Sequence, residues 1–197
     1  MTKAEKTKKM VIEKSAPIFN KKGYDNTSMA DIQEVTHLSR GALYGNFSNK
    51  EELIIEAFDY NYLLSKKRTE EALLKVDSYK EKLLEYSASY IKDWQGVLER
   101  GGCPMLNAAV EADDYLICLR DKVRVNIKDF IGILQNIIEA GKLQLEFKTE
   151  INAEKYATLI FSIMEGNIML AKIMNDKKYL QLADESIEDI INNQISQ

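Results

Sequence analysis

YDNTSMADIQEVTHLSRGALYGNFSNKEEL, residues 24–53, decides how this chain is read. Thr27-Ser28 supplies a helix N-cap, and Asp31 stands three residues after Ser28, a loose capping box. Met29, Ile32 and Val35 then recur at helical spacing. Thr36-His37-Leu38 breaks the pattern, and Ser39 caps a second segment with Leu43 and Phe47 pointing inward. Asn49 opens a third helix. The spacing predicts a helix over 28–35, another over 39–46 and a turn of three or four residues between them, which is a helix-turn-helix spanning 28–47.

The second helix has the chemistry of a DNA reader. Its first residues, Arg40, Gly41 and Ala42, are those that reach base edges when such a helix lies in the major groove. Arg40 can donate a bidentate pair to guanine, and Gly41 and Ala42 are small enough for close approach. Tyr44 offers a hydroxyl to phosphate. Lys50, at the start of the third helix, can hold phosphate together with that helix's free N–H groups. Thr27, Ser28, Ser39 and Asn46 complete the candidate DNA-facing set.

Residues 5–65 resemble the DNA-binding domain of the TetR family of bacterial repressors. The resemblance is carried by Phe19, Gly23-Tyr24, Thr27-Ser28, Ile32, Leu38-Ser39, Arg40-Gly41-Ala42-Leu43-Tyr44, Phe47 and Lys50-Glu51-Glu52-Leu53. It implies a homodimer, a palindromic operator and a C-terminal domain that responds to a small molecule, with repression as the usual mode. Two positions depart from the family pattern. Gln33 stands where a small residue is usual, and His37 where glycine is usual. Glycine suits a positive φ, so His37 implies a strained turn or a slightly altered angle between the helices.

Composition agrees with an all-α fold of about nine helices. Two prolines and nine scattered glycines do not supply the turns of an all-β protein, and long stretches are rich in Leu, Ile, Lys, Glu and Ala. The basic N-terminus precedes no apolar run of signal-peptide type, and no long uncharged apolar stretch marks a membrane span. Two cysteines make no secreted disulfide framework. The expected setting is the cytoplasm. Charge is unevenly spread. Residues 1–50 carry nine Lys/Arg against five acids, whereas the whole chain has a net charge of −4. A basic head on an acidic body suits a protein that meets polyanion at one end. A frayed, solvated Lys-rich terminus is the alternative explanation of the same charges, and the adjoining helix-turn-helix favours DNA.

The remaining periodicities place helices over 4–21, with Pro17 inside, and 49–74. Others are expected over 78–98, from Pro104 to about Glu111, over 114–141 closed by Gly141, and over 152–175 and 178–194. A first domain of residues 1–65 and a second of 66–197 follow, without a flexible linker. The helix over 152–175 is apolar almost all round, so it should be buried on two sides, its own core and a second subunit. Ser162 and Gly166, four apart, allow a close helix approach. Family resemblance implies that this helix and the next pair with their mates in a four-helix interface. Phe161, Ile168, Ile187, Ile190 and Ile191 are the candidate interface residues.

An aromatic stripe, Tyr86, Tyr90 and Trp94, joins Met105, Asn107, Phe130 and Met164 as the candidate lining of an effector cavity, which is implied mainly by resemblance. An ordinary packed core is the alternative. Cys103 precedes a helix N-terminus, where the dipole favours thiolate. It resembles a Gly-Cys segment of family members that sense electrophiles, and it also reads as a small buried hydrophobe. Nothing points to catalysis, a cofactor or a metal: the single histidine lies in the turn, no Cys/His ligand set or phosphate loop appears, and Asp113-Asp114 reads as an N-cap. The competing function is a non-enzymatic helical interaction module whose basic head binds any polyanion.

Overall fold

The computed structural model describes residues 2–114 and 116–197, with the side chains of Asp113 and Asp114 outside the described part. Its helices are α1 (Lys3–Lys22), α2 (Met29–Thr36), α3 (Arg40–Tyr44), α4 (Lys50–Leu73), α5 (Tyr79–Lys92), α6 (Trp94–Glu99), α7 (Pro104–Asp114), α8 (Ile117–Leu143), α9 (Ala153–Met174) and α10 (Lys178–Ile190), followed by a π-helical turn, Ile191–Ile195. No strand occurs among the described residues; one isolated antiparallel bridge joins Phe147 and Ser196. The chain folds as two compact units. The first is Met1–Ser65 with Arg100–Asn126, and the second is Lys66–Glu99 with Ile127–Gln197. Residues 100–126, placed with the C-terminal part by sequence, thus belong to the first unit.

In the first unit, Val11, Phe19, Tyr24, Ile32, Leu43, Phe47, Leu53 and Phe58 form the core. The rings of Phe19 and Tyr24 stack at 5.7 Å, and Phe58 meets Tyr24 edge-on at 6.0 Å. Burial pushes the Tyr24 phenol well above its ordinary pKa, and Asn61 Nδ2 donates to its oxygen. Pro17 lies inside α1 without ending it. α7 packs against α1, and the acidic pair at 113–114 ends α7 rather than opening the next helix.

In the second unit α10 packs against α9 and α5, and Ser87 Oγ donates to Asp184 Oδ1 at 2.6 Å. Tyr86, Ile160, Met164, Ile168, Leu180 and Ile187 are buried. The Glu146 carboxylate accepts from the first N–H groups of α5, at Tyr79 and Lys80. Among the described residues α9 is the one helix long and apolar enough to cross a membrane. It carries a buried Glu165 and packs along α10.

Two further expectations need correction. The helix expected over 78–98 breaks at Asp93 into α5 and α6, so Trp94 does not continue the Tyr86–Tyr90 helix. Gly141 does not close α8, which runs on to Leu143. Its missing side chain instead makes room for Phe147, whose ring carbons would lie 2.3 Å from a Cβ at 141. The left-handed residue after the helix is Leu145, at φ 60°.

Candidate nucleic-acid interface

The local signals at the head assemble as their chemistry demands. Ser28 Oγ accepts from the Asp31 N–H, and Asp31 Oδ2 accepts from the Ser28 N–H, closing the capping box of α2. Lys22 donates to both Asp31 oxygens at 2.7 Å. That contact, with the Ser28 bonds, holds the carboxyl far below its ordinary range. α2 ends at His37, which takes the left-handed conformation (φ 58°, ψ 27°) and donates its N–H to Gln33 O. The imidazole residue therefore occupies the backbone geometry usual for glycine, a conformation histidine tolerates better than most residues.

Ser39 caps α3, accepting from the Ala42 N–H at 3.2 Å. α3 is only five residues long, shorter than the expected 39–46. Its end is fixed by Asn46, whose Nδ2 donates to Ala42 O, and by the N–H groups of Asn46 and Phe47, which both turn back to Leu43 O. Leu43 and Phe47 anchor it in the core. Arg40, Gly41 and Tyr44 are exposed, and a Cβ at Gly41 would meet nothing within 4 Å. The first turn of α3 thus presents an open face. Arg40 lies over the Tyr44 ring, 5.6 Å from its centroid.

Flanking residues are ordered by charge. Lys8 donates to Glu52 at 2.8 Å and lies over the Phe47 ring. Glu52 also accepts from the Ser48 N–H and hydroxyl. These contacts, Lys8 first, hold its carboxyl down to about 2. Lys50 Nζ donates to the backbone carbonyl of Asp25 at 2.7 Å. An ammonium has three donors, so two remain for a phosphate.

Thr27 is corrected. It is fully buried and its hydroxyl donates to Gly23 O at 2.6 Å, so its side chain serves the turn and cannot reach DNA. Ser28 stays exposed but commits its hydroxyl to Asp31. Asn46 is half-buried and spends its amide nitrogen on the end of α3. Ser39, Arg40, Gly41, Ala42 and Tyr44 remain candidates on the cap and helix of α3, and Lys50 remains one at the start of α4.

The candidate effector residues separate. Tyr86 and Tyr90 meet edge-on at 5.7 Å, Phe130 meets Phe161 at 6.2 Å, and Met164 is buried, all in the second unit with half-buried Trp94. Cys103, Met105 and Asn107 belong to the first. Asn107 is corrected: its amide nitrogen donates to Asn20 O, Asn20 Oδ1 and Gly101 O, a structural latch. Cys103 is buried.

The candidate interface residues are also corrected. Phe161, Ile168, Ile187 and Ile191 are buried in their own chain, and Ile190 is half-buried, because these side chains form the inner face of the helix pair. Leu159, Ser162, Met169, Leu170, Ile173 and Met174 of α9 are exposed instead, with Leu182 of α10. Open space surrounds the position of a Cβ at Gly166.

Comparison with known proteins agrees with this head and body. Residues 11–57 match the model described as bacterial regulatory proteins, tetR family, and residues 80–187 match the tetracyclin repressor-like C-terminal domain. The chain belongs to the TetR family. The solved TetR-family transcriptional regulator from Cytophaga hutchinsonii is 36% identical, with a TM-score of 0.94 over 100% of this chain and 98% of that one. A TetR transcriptional regulator from Chloroflexus aurantiacus J-10-FL is 30% identical, with a TM-score of 0.92 over 100% and 99%. The regulator TtgR of Pseudomonas putida is 26% identical over 84% of this chain and 80% of its own. This TetR-family chain is a helix-turn-helix transcriptional regulator, and the polyanion-binding module is not favoured.

Proposed function

We propose that the protein is a homodimeric repressor that binds a palindromic operator and leaves it when a small molecule binds the second unit. The observation that carries the DNA reading is the open first turn of α3, where Arg40, Gly41 and Tyr44 are exposed; the ammonium of Lys50, held at the Asp25 carbonyl, adds a donor for phosphate. One such head has little discrimination, since a good bidentate contact is worth about 1–3 kcal/mol. Two heads related by a two-fold axis read half-sites about one helical turn or a multiple apart. The exposed apolar stripe of α9, from Leu159 to Met174, supports the second copy. The protein works on DNA in the cytoplasm.

Burial of Cys103 favours a packing role over a reactive thiol.

Binding should be measured by fluorescence anisotropy on a palindrome from the DNA flanking this gene and on scrambled DNA of equal length. A repressor prefers the palindrome by about 10³-fold or more. Equal affinity for both, and for heparin, would instead support the interaction module.

A further inference from the structure

The turn that joins α1 to α2 is held from outside the helix-turn-helix. Glu111, on α7, accepts from the Tyr24 N–H at Oε1 (2.9 Å) and from the Asp25 N–H at Oε2 (2.7 Å). Gly23 precedes them at φ 102°, and a Cβ there would stand 3.3 and 3.4 Å from the two carboxylate oxygens. Both the backbone conformation and the approach of the carboxylate therefore call for glycine. The same turn holds Lys50, through the carbonyl of Asp25. Asp25 thus donates to α7 with its N–H and accepts from α4 with its C=O.

A second latch lies alongside. Asn20 Nδ2 donates to the carbonyls of Arg100 and Gly102, while Asn107 Nδ2 donates to Asn20 and Gly101. Gly101, at φ 86°, has no room for a side chain against Lys21 and the Asn20 carbonyl. The end of α1 and the start of α7 are therefore fixed to each other by short polar contacts.

We propose that Glu111 is a positioning residue for DNA binding: its carboxylate fixes the 23–25 turn and, through the Asp25 carbonyl, the place of the Lys50 ammonium. This rests on the DNA-binding reading above. Both oxygens are committed to charge-assisted bonds, so the clamp has one geometry. Lys50 held in place loses less freedom when a phosphate arrives. A shift of α7 by about 1–2 Å is enough to part both bonds. α7 lies outside the 11–57 match and within the 80–187 match, so the carboxylate joins the two matched segments.

The test is a double-mutant cycle on the full-length protein with Glu111→Gln and Lys50→Met. Affinity is measured on the palindrome and on random DNA. Gln keeps the volume but turns amide hydrogens toward a backbone N–H. Glu111→Gln should weaken binding to both duplexes by a similar factor, on the order of tenfold. The double variant should bind no worse than the weaker single variant. A double loss equal to the product of the single losses overturns the proposal, as does wild-type binding by Glu111→Gln. If that variant does not fold, Glu111→Asp, which keeps the charge and shortens the reach, is read in the same cycle. A wild-type protein without preference for the palindrome sinks the repressor reading alone, because the cycle remains readable on random DNA.

Discussion

The guanidinium of Arg40 rests over the ring of Tyr44 one helical turn later, 5.6 Å from its centroid. A base edge and the ring can be served together, because the face of the guanidinium stacks while its edge donates. Arg40→Ala should weaken binding to the palindrome by about 10–100-fold per half-site and binding to random DNA far less. Tyr44→Leu should give part of that loss, and Tyr44→Phe should keep the platform. Anisotropy titrations on both duplexes decide the matter; equal losses would remove Arg40 from base reading.

A charge placed on the exposed stripe of α9 should separate the copies without unfolding either one. Leu170 is exposed in the single chain, so Leu170→Asp leaves the core intact. Sedimentation equilibrium should then show monomer at micromolar concentration, with operator binding lost and random-DNA binding only weakened. A variant that stays dimeric places the interface elsewhere.

Acid should loosen the head through Glu52. Its carboxyl is held from an ordinary 4.5 down to about 2, first by Lys8 and then by Ser48. A depressed value means that the folded head disfavours protonation. The contribution is therefore full above about pH 4.5 and disappears as pH falls toward 2. Melting temperature against pH should be flat near neutrality and fall across that window. Glu52→Gln should lower the neutral plateau and flatten the fall. An unchanged slope would assign the acid transition to other carboxylates.

Gly141→Ala should destabilise the second unit by about 1–3 kcal/mol, since the added methyl meets the ring of buried Phe147. The double change Gly141→Ala with Phe147→Leu should recover part of the loss. Denaturant melts check both, and an unaffected midpoint for the single variant would mean that the ring moves freely aside.

The head was legible because its signals are local. Ser28 with Asp31, Ser39 with Ala42 and the left-handed position at His37 all lie within a few residues of what they control. The break at Asp93 has no proline, and the nearest glycine, Gly96, lies three residues on within α6, so the local signal for a break is weak. Gly141 misled because glycine marks either a stop or a close approach, and only the distant Phe147 decides which. α9 is apolar almost all round, and periodicity cannot tell which of its sides belongs to the chain's own core. Phe161 and Ile168 therefore went to the wrong face. Glu111 reaches a turn 87 residues earlier in the sequence, a distance over which no spacing rule operates.

A reader of five residues has no stiffness of its own, because so short a helix is not stable alone. Its tilt in a groove is set by the scaffold beneath Leu43 and Phe47. Substitutions in that scaffold can re-aim Arg40 without replacing it. Such a protein can drift toward a new target sequence through its hydrophobic interior, while every side chain that faces the bases stays the same.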